Sequence, residues 1–140
     1  METTKLENFV GRGQLSVMLA NCRGEERKFF KTMILELKNT IENMPQTYGT
    51  EGQGAEATAT LHYFKGDSDW YIIEKDAGDP DDDIPGVQAQ AFGFACLNGD
   101  KKNAEMGYIS IQELIENGVE LDLYYHQKTI GAIKDKYNKN

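Results

Sequence analysis

The spacing of the hydrophobic residues changes along this chain from the period of a helix to that of a strand, and this change restricts the fold most. Between residues 25 and 44, large apolar residues recur every three or four positions, which is the pattern of one buried helix face. Pro45 ends that helix at or before Met44. From residue 57, apolar and polar residues alternate, as in a half-buried strand. The apolar positions of the helix are Phe30, Ile34, Leu37 and Ile41.

Turn residues divide the remainder of the chain into short strands. A second helix is predicted between the last two strands, because Ser110 and Glu113 have the spacing of a capping box and Gly118 suits the helix end. Short turns between strands favour antiparallel pairing. The predicted strands cover residues 57–64, 70–73, 89–97, 106–109 and 119–125. The sequence therefore predicts an α+β fold: a mainly antiparallel sheet of four to five strands, an N-terminal amphipathic helix and a short later helix, with the helices on one face.

The chain is predicted to form one domain with two flanking segments. Its 140 residues fit a single domain, and we expect an N-terminal extension over 1–23, the α+β domain over 24–126 and a basic tail over 127–140. The N-terminus lacks the layout of a signal peptide, and no apolar run is long enough to cross a bilayer. Cys96 lies in an apolar run and is expected to be a buried thiol. The expected compartment is the cytoplasm.

Charge is distributed unevenly along the chain. Residues 45–126 contain four Lys or Arg against sixteen Asp or Glu, whereas the whole chain has a net charge of −8. The densest stretch, Asp67 to Asp83, holds eight carboxylates and one lysine, Lys75. Such a field repels nucleic acid and attracts basic surfaces. The four lysines of the tail could contact the acidic body of a second copy and give a homodimer, although a solvated chain end is the commoner arrangement.

Four sequence blocks between about Ile34 and Ile133 resemble a family of small proteins catalogued as domain of unknown function 2958. The longest block runs from Glu105 to Leu114 and is similar to the family's Glu-Leu-Gly-Tyr-Phe-Ser-Leu-x-Glu-Leu signature. The other blocks are Met44-Pro45 with Tyr48 and Glu51, Trp70-Tyr71, and Phe92-Gly93-Phe94. The resemblance implies an accessory protein of plasmids, phages or integrated elements, and it supplies no agreed catalytic residues.

Charge and resemblance together favour a non-enzymatic acidic binding protein of phage or plasmid origin. Rows of carboxylates can stand in for phosphates, so the expected partner is a basic protein surface, such as the nucleic-acid groove of a host restriction or CRISPR nuclease, with no direct nucleic-acid or membrane binding. The predicted partner-binding residues are Asp67, Asp69, Asp76, Asp79, Asp81, Asp82 and Asp83. The alternative is a metal-dependent nuclease that holds Mg²⁺ with some of Asp67, Asp69, Glu74 and Asp76.

The chain offers no motif that predicts a cofactor or a dedicated metal site. The cluster Asp79–Asp83 is rich in the oxygen ligands that Ca²⁺ prefers, but Ile84 and Gln90 replace the glycine and the carboxylate that an EF-hand loop requires. A solvated acidic loop is the favoured interpretation. His62 and His126 lack ligand spacing, and a hydrogen-bonded strand histidine is the expected state. The aromatic residues of the predicted strands could stack bases, but core packing is favoured.

Overall fold

The computed structural model describes residues 6–78, 81 and 86–138, and its architecture is α+β, as predicted. The α-helices are α1 (Arg12–Asn21), α2 (Arg27–Asn43), α3 (Ile111–Glu116) and α4 (Ile130–Asn138). The strands are β1 (Thr58–Ala59), β2 (Leu61–Lys65), β3 (Ser68–Glu74), β4 (Ala91–Cys96), β5 (Glu105–Ile109), β6 (Glu120–Leu121) and β7 (Lys128–Thr129). Short 3₁₀ turns occur at Leu6–Asn8, Gly54–Glu56 and Lys101–Asn103.

Five of the strands form one antiparallel sheet in the order β5-β4-β3-β2-β6, and β1 pairs separately with β7. Strands β2 and β3 form a hairpin in which Lys65 opposes Ser68, so Gly66 and Asp67 make a two-residue turn. Gly66 has a φ of 57°, a conformation that such tight hairpin turns require and that glycine adopts without strain. The antiparallel pairing that short turns favour is confirmed for these two strands.

One face of the sheet packs against the N-terminal part of the chain. Leu61, Tyr63 and Ile72 from the sheet share a hydrophobic cluster with Ile34 and Ile41 of α2, which is the helix stripe that the sequence predicts. The same cluster contains Leu6, Phe9, Val10 and Met18. Residues 6–22 are therefore part of the domain core, whereas the sequence suggested an extension outside it. Helix α1 starts at Arg12, with Gly11 at its N-cap, so the two glycines Gly11 and Gly13 do not prevent a helix from starting here.

The opposite face of the sheet is covered by the C-terminal segment. Ile130 and Ile133 of α4 share a second cluster with Tyr71, Ile73 and Phe94. The sequence placed the helices on one face, and this expectation differs from the structure. The reason is that both faces of the central strands are apolar, so each face needs a covering layer. Residues 128–138 therefore form β7 and α4 and pack on the sheet.

The last predicted strand is shorter than expected. Strand β6 ends at Leu121 because the Asp122 carboxylate accepts the backbone amide of Tyr124 (3.0 Å), a local turn that competes with strand pairing. The capping of α3 is confirmed, since the Ser110 hydroxyl accepts the amide of Glu113 (3.1 Å) and Gly118 follows the helix with a φ of 75°. Cys96 is buried and both cysteines are free thiols. In the described part of the chain, no helix has the length and apolar content needed to cross a bilayer.

Candidate binding cleft at Glu74

A cleft of about 370 Å³ opens on the α4 face of the sheet, at the end where β3 finishes and β4 begins. It is lined by Ile73 of β3, Phe92 of β4 and Lys134 of α4. The loop before β1 closes one side and β5 the other. Its other lining residues are Tyr48, Thr50, Glu51, Gly54, Ala57, Glu74, Met106 and Tyr108. The cleft therefore combines an aromatic rim with carboxylates, and we name it the Glu74 cleft.

A β-bulge places Glu74 in this cleft. In the pairing of β3 with β4, Ile72 opposes Gly93 and Glu74 opposes Phe92, so Ile73 is an extra residue on β3. Regular alternation would put Glu74 on the same face as Ile72, which belongs to the cluster under α2. The inserted residue turns Glu74 to the α4 face, where it lines the cleft beside Ile73. Bulges commonly redirect side chains in this way near functional sites.

The Glu74 carboxylate is buried and is held by backbone amides rather than by a cation. Only 7% of Glu74 is exposed, and its Oε1 accepts the amide of Tyr48 at 2.9 Å. Its Oε2 accepts the amide of Thr50 at 3.1 Å and the Thr50 hydroxyl. Among residues 6–78, 81 and 86–138, no Lys, Arg or His nitrogen lies within 4.0 Å of this carboxylate. The cleft thus contains a carboxylate that, among the described residues, has no cationic group within 4.0 Å.

Two exposed tyrosines form the rim of the cleft. Tyr48 is 68% exposed and Tyr108 is 60% exposed, which is unusual for large aromatic side chains. A hydrogen bond with the Tyr48 hydroxyl raises the pKa of Tyr108, so the two phenols meet across the rim. The ring of Tyr108 packs edge-to-face on Phe92, with the ring centroids 5.4 Å apart. Phe92 and Tyr108 are directly opposite each other in the pairing of β4 with β5.

The cleft brings together residues from three of the four sequence blocks that carry the family resemblance. Tyr48 and Glu51 come from the first block, Phe92 from the central strand block and Tyr108 from the longest block. The sequence did not indicate that these blocks meet, and none of these residues was a predicted site residue. The blocks lie far apart in sequence, so nothing in the sequence relates them to each other. The one feature of the sequence that pointed to these residues was their membership of the quoted blocks.

The predicted partner-binding carboxylates do not form one cluster. Asp67 lies exposed in the β2–β3 turn, whereas Asp76 follows the other end of β3, and the two ends of this strand are roughly 20 Å apart at the usual rise per strand residue. Asp69 contacts His62, and Asp76 accepts the amides of Gly78 (2.7 Å) and Gln90 (2.9 Å). Asp81 is exposed. The residues Asp79, Asp82 and Asp83 lie outside the described residues, as does Ile84 of the candidate calcium loop.

The four carboxylates of the alternative nuclease hypothesis are also separated. Asp67 and Asp69 lie at the start of β3, and Glu74 and Asp76 lie at its end. Asp69 is directed to His62, and Glu74 to backbone amides. Across the described ranges, no three His, Cys, Asp or Glu side chains converge in a way that could hold a metal ion. The described residues therefore do not assemble the two-metal arrangement that this hypothesis uses.

His62 forms a second polar cluster, in which its ring lies between two carboxylates. Its Nε2 is 2.7 Å from Asp69 Oδ1, and its Nδ1 is 2.9 Å from Asp122 Oδ2. An ionised carboxylate can only accept hydrogen bonds, so the two contacts together require protons on both ring nitrogens or a proton on one carboxyl group. The ring stacks on Tyr71 with centroids 4.5 Å apart. The predicted hydrogen-bonded strand histidine is confirmed for His62, which has two carboxylate partners, whereas His126 is exposed and lies outside the strands.

The aromatic residues of the strands are divided between the two faces of the sheet. Tyr63 and Trp70 are cross-strand partners on the α2 face, whereas Tyr71 and Tyr125 pack on the α4 face. Burial raises the pKa of Tyr125 to about 12, and Tyr124 is 67% exposed. Core packing is therefore the main role of these residues, and they do not form a single stacking platform for bases.

Comparison with protein-family models, curated proteins and solved structures found no match for this chain. The resemblance to the domain of unknown function 2958 family therefore stays a prediction from the sequence blocks.

Proposed function

We propose that the chain is a non-enzymatic acidic binding protein of phage or plasmid origin. It inhibits a host nucleic-acid enzyme, such as a restriction or CRISPR nuclease, by occupying the basic groove that normally receives nucleic acid. The observation that carries the proposal is the charge of residues 45–126, which contain sixteen acidic and four basic residues. Complementary charge of this kind steers association with basic surfaces and excludes nucleic acid.

The position of Lys75 supports this proposal. Lys75 is the one lysine between Asp67 and Asp83. It donates to the carbonyl oxygens of Ile41 (2.7 Å) and Glu42 (3.3 Å) at the C-terminal end of α2. Cations stabilise this end of a helix. The Lys75 ammonium group is therefore bound to the end of α2, and Asp67 is exposed.

The experiment is an inhibition assay with a panel of purified restriction endonucleases and RNA-guided nucleases, each measured with its DNA substrate over a range of salt concentrations. The test variant replaces Asp79, Asp81, Asp82 and Asp83 with Asn. The matched control removes four charges elsewhere, at the exposed residues Glu25, Glu26, Glu113 and Glu116, by replacement with Gln. We expect inhibition that weakens with salt, and a loss of about tenfold or more in the test variant alone.

Two outcomes contradict the proposal. Equal loss in both variants means that net charge, rather than this surface, causes inhibition. Absence of inhibition across the panel, combined with Mg²⁺-dependent cleavage of DNA or RNA by the pure protein, supports the alternative metal-dependent nuclease. A double substitution of Asp69 and Asp76 with Asn then tests whether those carboxylates are needed for the cleavage.

A further inference from the structure

Strand β5 is an edge of the sheet and lies directly beside the Glu74 cleft. Within the described residues, β4 is its one hydrogen-bonded neighbour, so the outer side of β5 presents backbone groups that another strand can pair with. The strand has neither proline nor lysine, two residues that commonly protect such edges. Its side chains Met106 and Tyr108 line the cleft. An open edge and a cleft are therefore contiguous.

The geometry of a sheet relates the edge to the cleft. Alternate residues of a strand point to the same face, and Met106 and Tyr108 share the α4 face in this way. An extended peptide that pairs with β5 continues this alternation, so every second side chain of the peptide lies on the face where the cleft opens. Peptides added to sheet edges gain affinity from backbone hydrogen bonds and specificity from such pockets.

The chemistry of the cleft selects the side chain that enters it. The lining residues include two carboxylates, Glu51 and Glu74, against one ammonium group, Lys134, so one negative charge is in excess. The aromatic residues Tyr48, Phe92 and Tyr108 line the same cleft. A guanidinium or ammonium group is attracted both to a carboxylate and to aromatic faces, and arginine stacks on such rings more readily than lysine.

We infer that the outer edge of β5 binds an extended segment of a partner protein, and that the Glu74 cleft receives an arginine side chain of that segment. The inference rests on the proposed function in one respect, namely that the partner is a basic protein. The outer edge of β5 and the Glu74 cleft form a site at the end of β3 opposite Asp67. This site recognises its ligand by backbone pairing and by an arginine side chain. The cleft recognises a single basic side chain, whereas the acidic surface attracts a partner through that partner's net positive charge.

The test uses the purified full chain and two synthetic capped pentapeptides. One has a central arginine between valines, and the other has citrulline in place of the arginine, which keeps the shape and removes the charge. Amide chemical shifts and hydrogen exchange are followed by NMR during titration to millimolar peptide. We expect shifts and slowed exchange at β5, including Met106 and Tyr108, and binding of the citrulline peptide that is about tenfold weaker.

Substitutions of residues that line the cleft test whether the arginine peptide binds there. Glu74→Gln removes the charge, and Tyr108→Ala removes a ring that is 60% exposed; each is expected to weaken binding of the arginine peptide about three- to tenfold. Glu113→Gln, a charge change on the exposed surface of α3, is the control and leaves the affinity unchanged. If Glu74→Gln unfolds the chain, Tyr108→Ala still decides the result.

Three results overturn the inference: no shifts at β5, equal affinity for the two peptides, or shifts confined to the exposed acidic turn at Asp67. Concentration-dependent pairing of β5 with β5 of a second copy, detected by sedimentation, also overturns it, because the edge is then already occupied. The nuclease assay gives an independent readout. Inhibition without arginine-peptide binding leaves the proposed function intact and removes this site, whereas peptide binding without inhibition supports this site alone.

Discussion

The carboxylate of Glu74 accepts the backbone amide of Tyr48 at 2.9 Å, and Tyr48 has a φ of 66°. Residues other than glycine rarely adopt this left-handed conformation, because the side chain approaches the backbone too closely. The hydrogen bond therefore fixes an exposed tyrosine in a strained conformation at the rim of the cleft. Strain of this kind often accompanies function, since the surrounding structure must maintain it.

A comparison of two small residues at position 48 measures this strain. Tyr48→Gly and Tyr48→Ala both remove the ring, but only glycine tolerates the left-handed conformation. We expect the Gly variant to have the higher free energy of unfolding, by about 1 kcal/mol. At Tyr108, in strand β5, the order reverses, because glycine destabilises a strand by about 0.5–1 kcal/mol relative to alanine. Urea denaturation checks both pairs, and the same order at both positions contradicts the assigned strain.

Replacement of His62 tests its position between Asp69 and Asp122. His62→Phe keeps a ring against Tyr71 but leaves both carboxylates without their shared partner, so we expect a loss of about 1–3 kcal/mol in the free energy of unfolding. The matched control, His126→Phe, changes an exposed histidine and stays within about 0.5 kcal/mol. Addition of Asp69→Asn to His62→Phe is expected to recover part of the loss, because coupled residues are non-additive. Full additivity contradicts the coupling.

Gly93 is required by the close approach of strands β3 and β4. A Cβ atom at Gly93 lies 1.9 Å from the carbonyl oxygen of Tyr71 and 3.0 Å from the Cα of Ile72. These are backbone atoms in the centre of the sheet and cannot move without loss of pairing, so we expect Gly93→Ala to cost about 3 kcal/mol or more. Gly107 is its cross-strand partner on β5, where a Cβ meets nothing within 4 Å. Gly107→Ala is therefore expected to be neutral or slightly stabilising by thermal unfolding.

Buried tyrosines predict a loss of stability at alkaline pH. Burial raises the pKa of Tyr63 strongly and that of Tyr125 to about 12, from an ordinary value of 10.0. Because the folded pKa lies above the unfolded one, this stabilisation is complete below about pH 10 and is lost as pH rises through the folded values. Above about pH 10, the fully buried Tyr63 alone lowers the free energy of unfolding by about 1.4 kcal/mol per pH unit.

The measurement is urea denaturation between about pH 8 and pH 11. Tyr63→Phe removes one buried phenol and is expected to flatten the decline, although it also loses the hydrogen bond to the Phe9 carbonyl. Tyr124→Phe is the control, because Tyr124 is exposed. An equal decline in the wild-type chain and the Tyr63→Phe variant excludes Tyr63 as its cause.

Local patterns predicted the elements of this fold well. The apolar stripe with Ile34 and Ile41 predicted α2, the short turns predicted antiparallel pairing of neighbouring strands, and Ser110 with Gly118 predicted the limits of α3. Each of these features depends on residues close in sequence. The covering of both sheet faces did not follow from such patterns, because Met18 and Ile133 reach the core through contacts with distant strands.

The candidate site depended far more on the tertiary structure. The charge distribution predicted the carboxylates between Asp67 and Asp83 as the binding residues. The blocks that resemble the family contain Tyr48, Phe92 and Tyr108, but the sequence does not show that these residues meet. The bulge at Ile73 has no signature in the sequence, since it arises from the register of β3 against β4. His62 and Asp122 likewise meet only because β2 pairs with β6.

The sequence by itself determined the α+β class, the main helix, the hairpin and the acidic character of the chain, because periodicity, turn chemistry and charge act over a few residues. Only the tertiary structure decided that Glu74 leaves the α2 face, becomes largely buried and lines one cleft together with Tyr48 and Tyr108. These contacts span the fold, and strand register and packing determine them. The physical reason is that a one-residue change of register reverses the face of every later side chain on a strand.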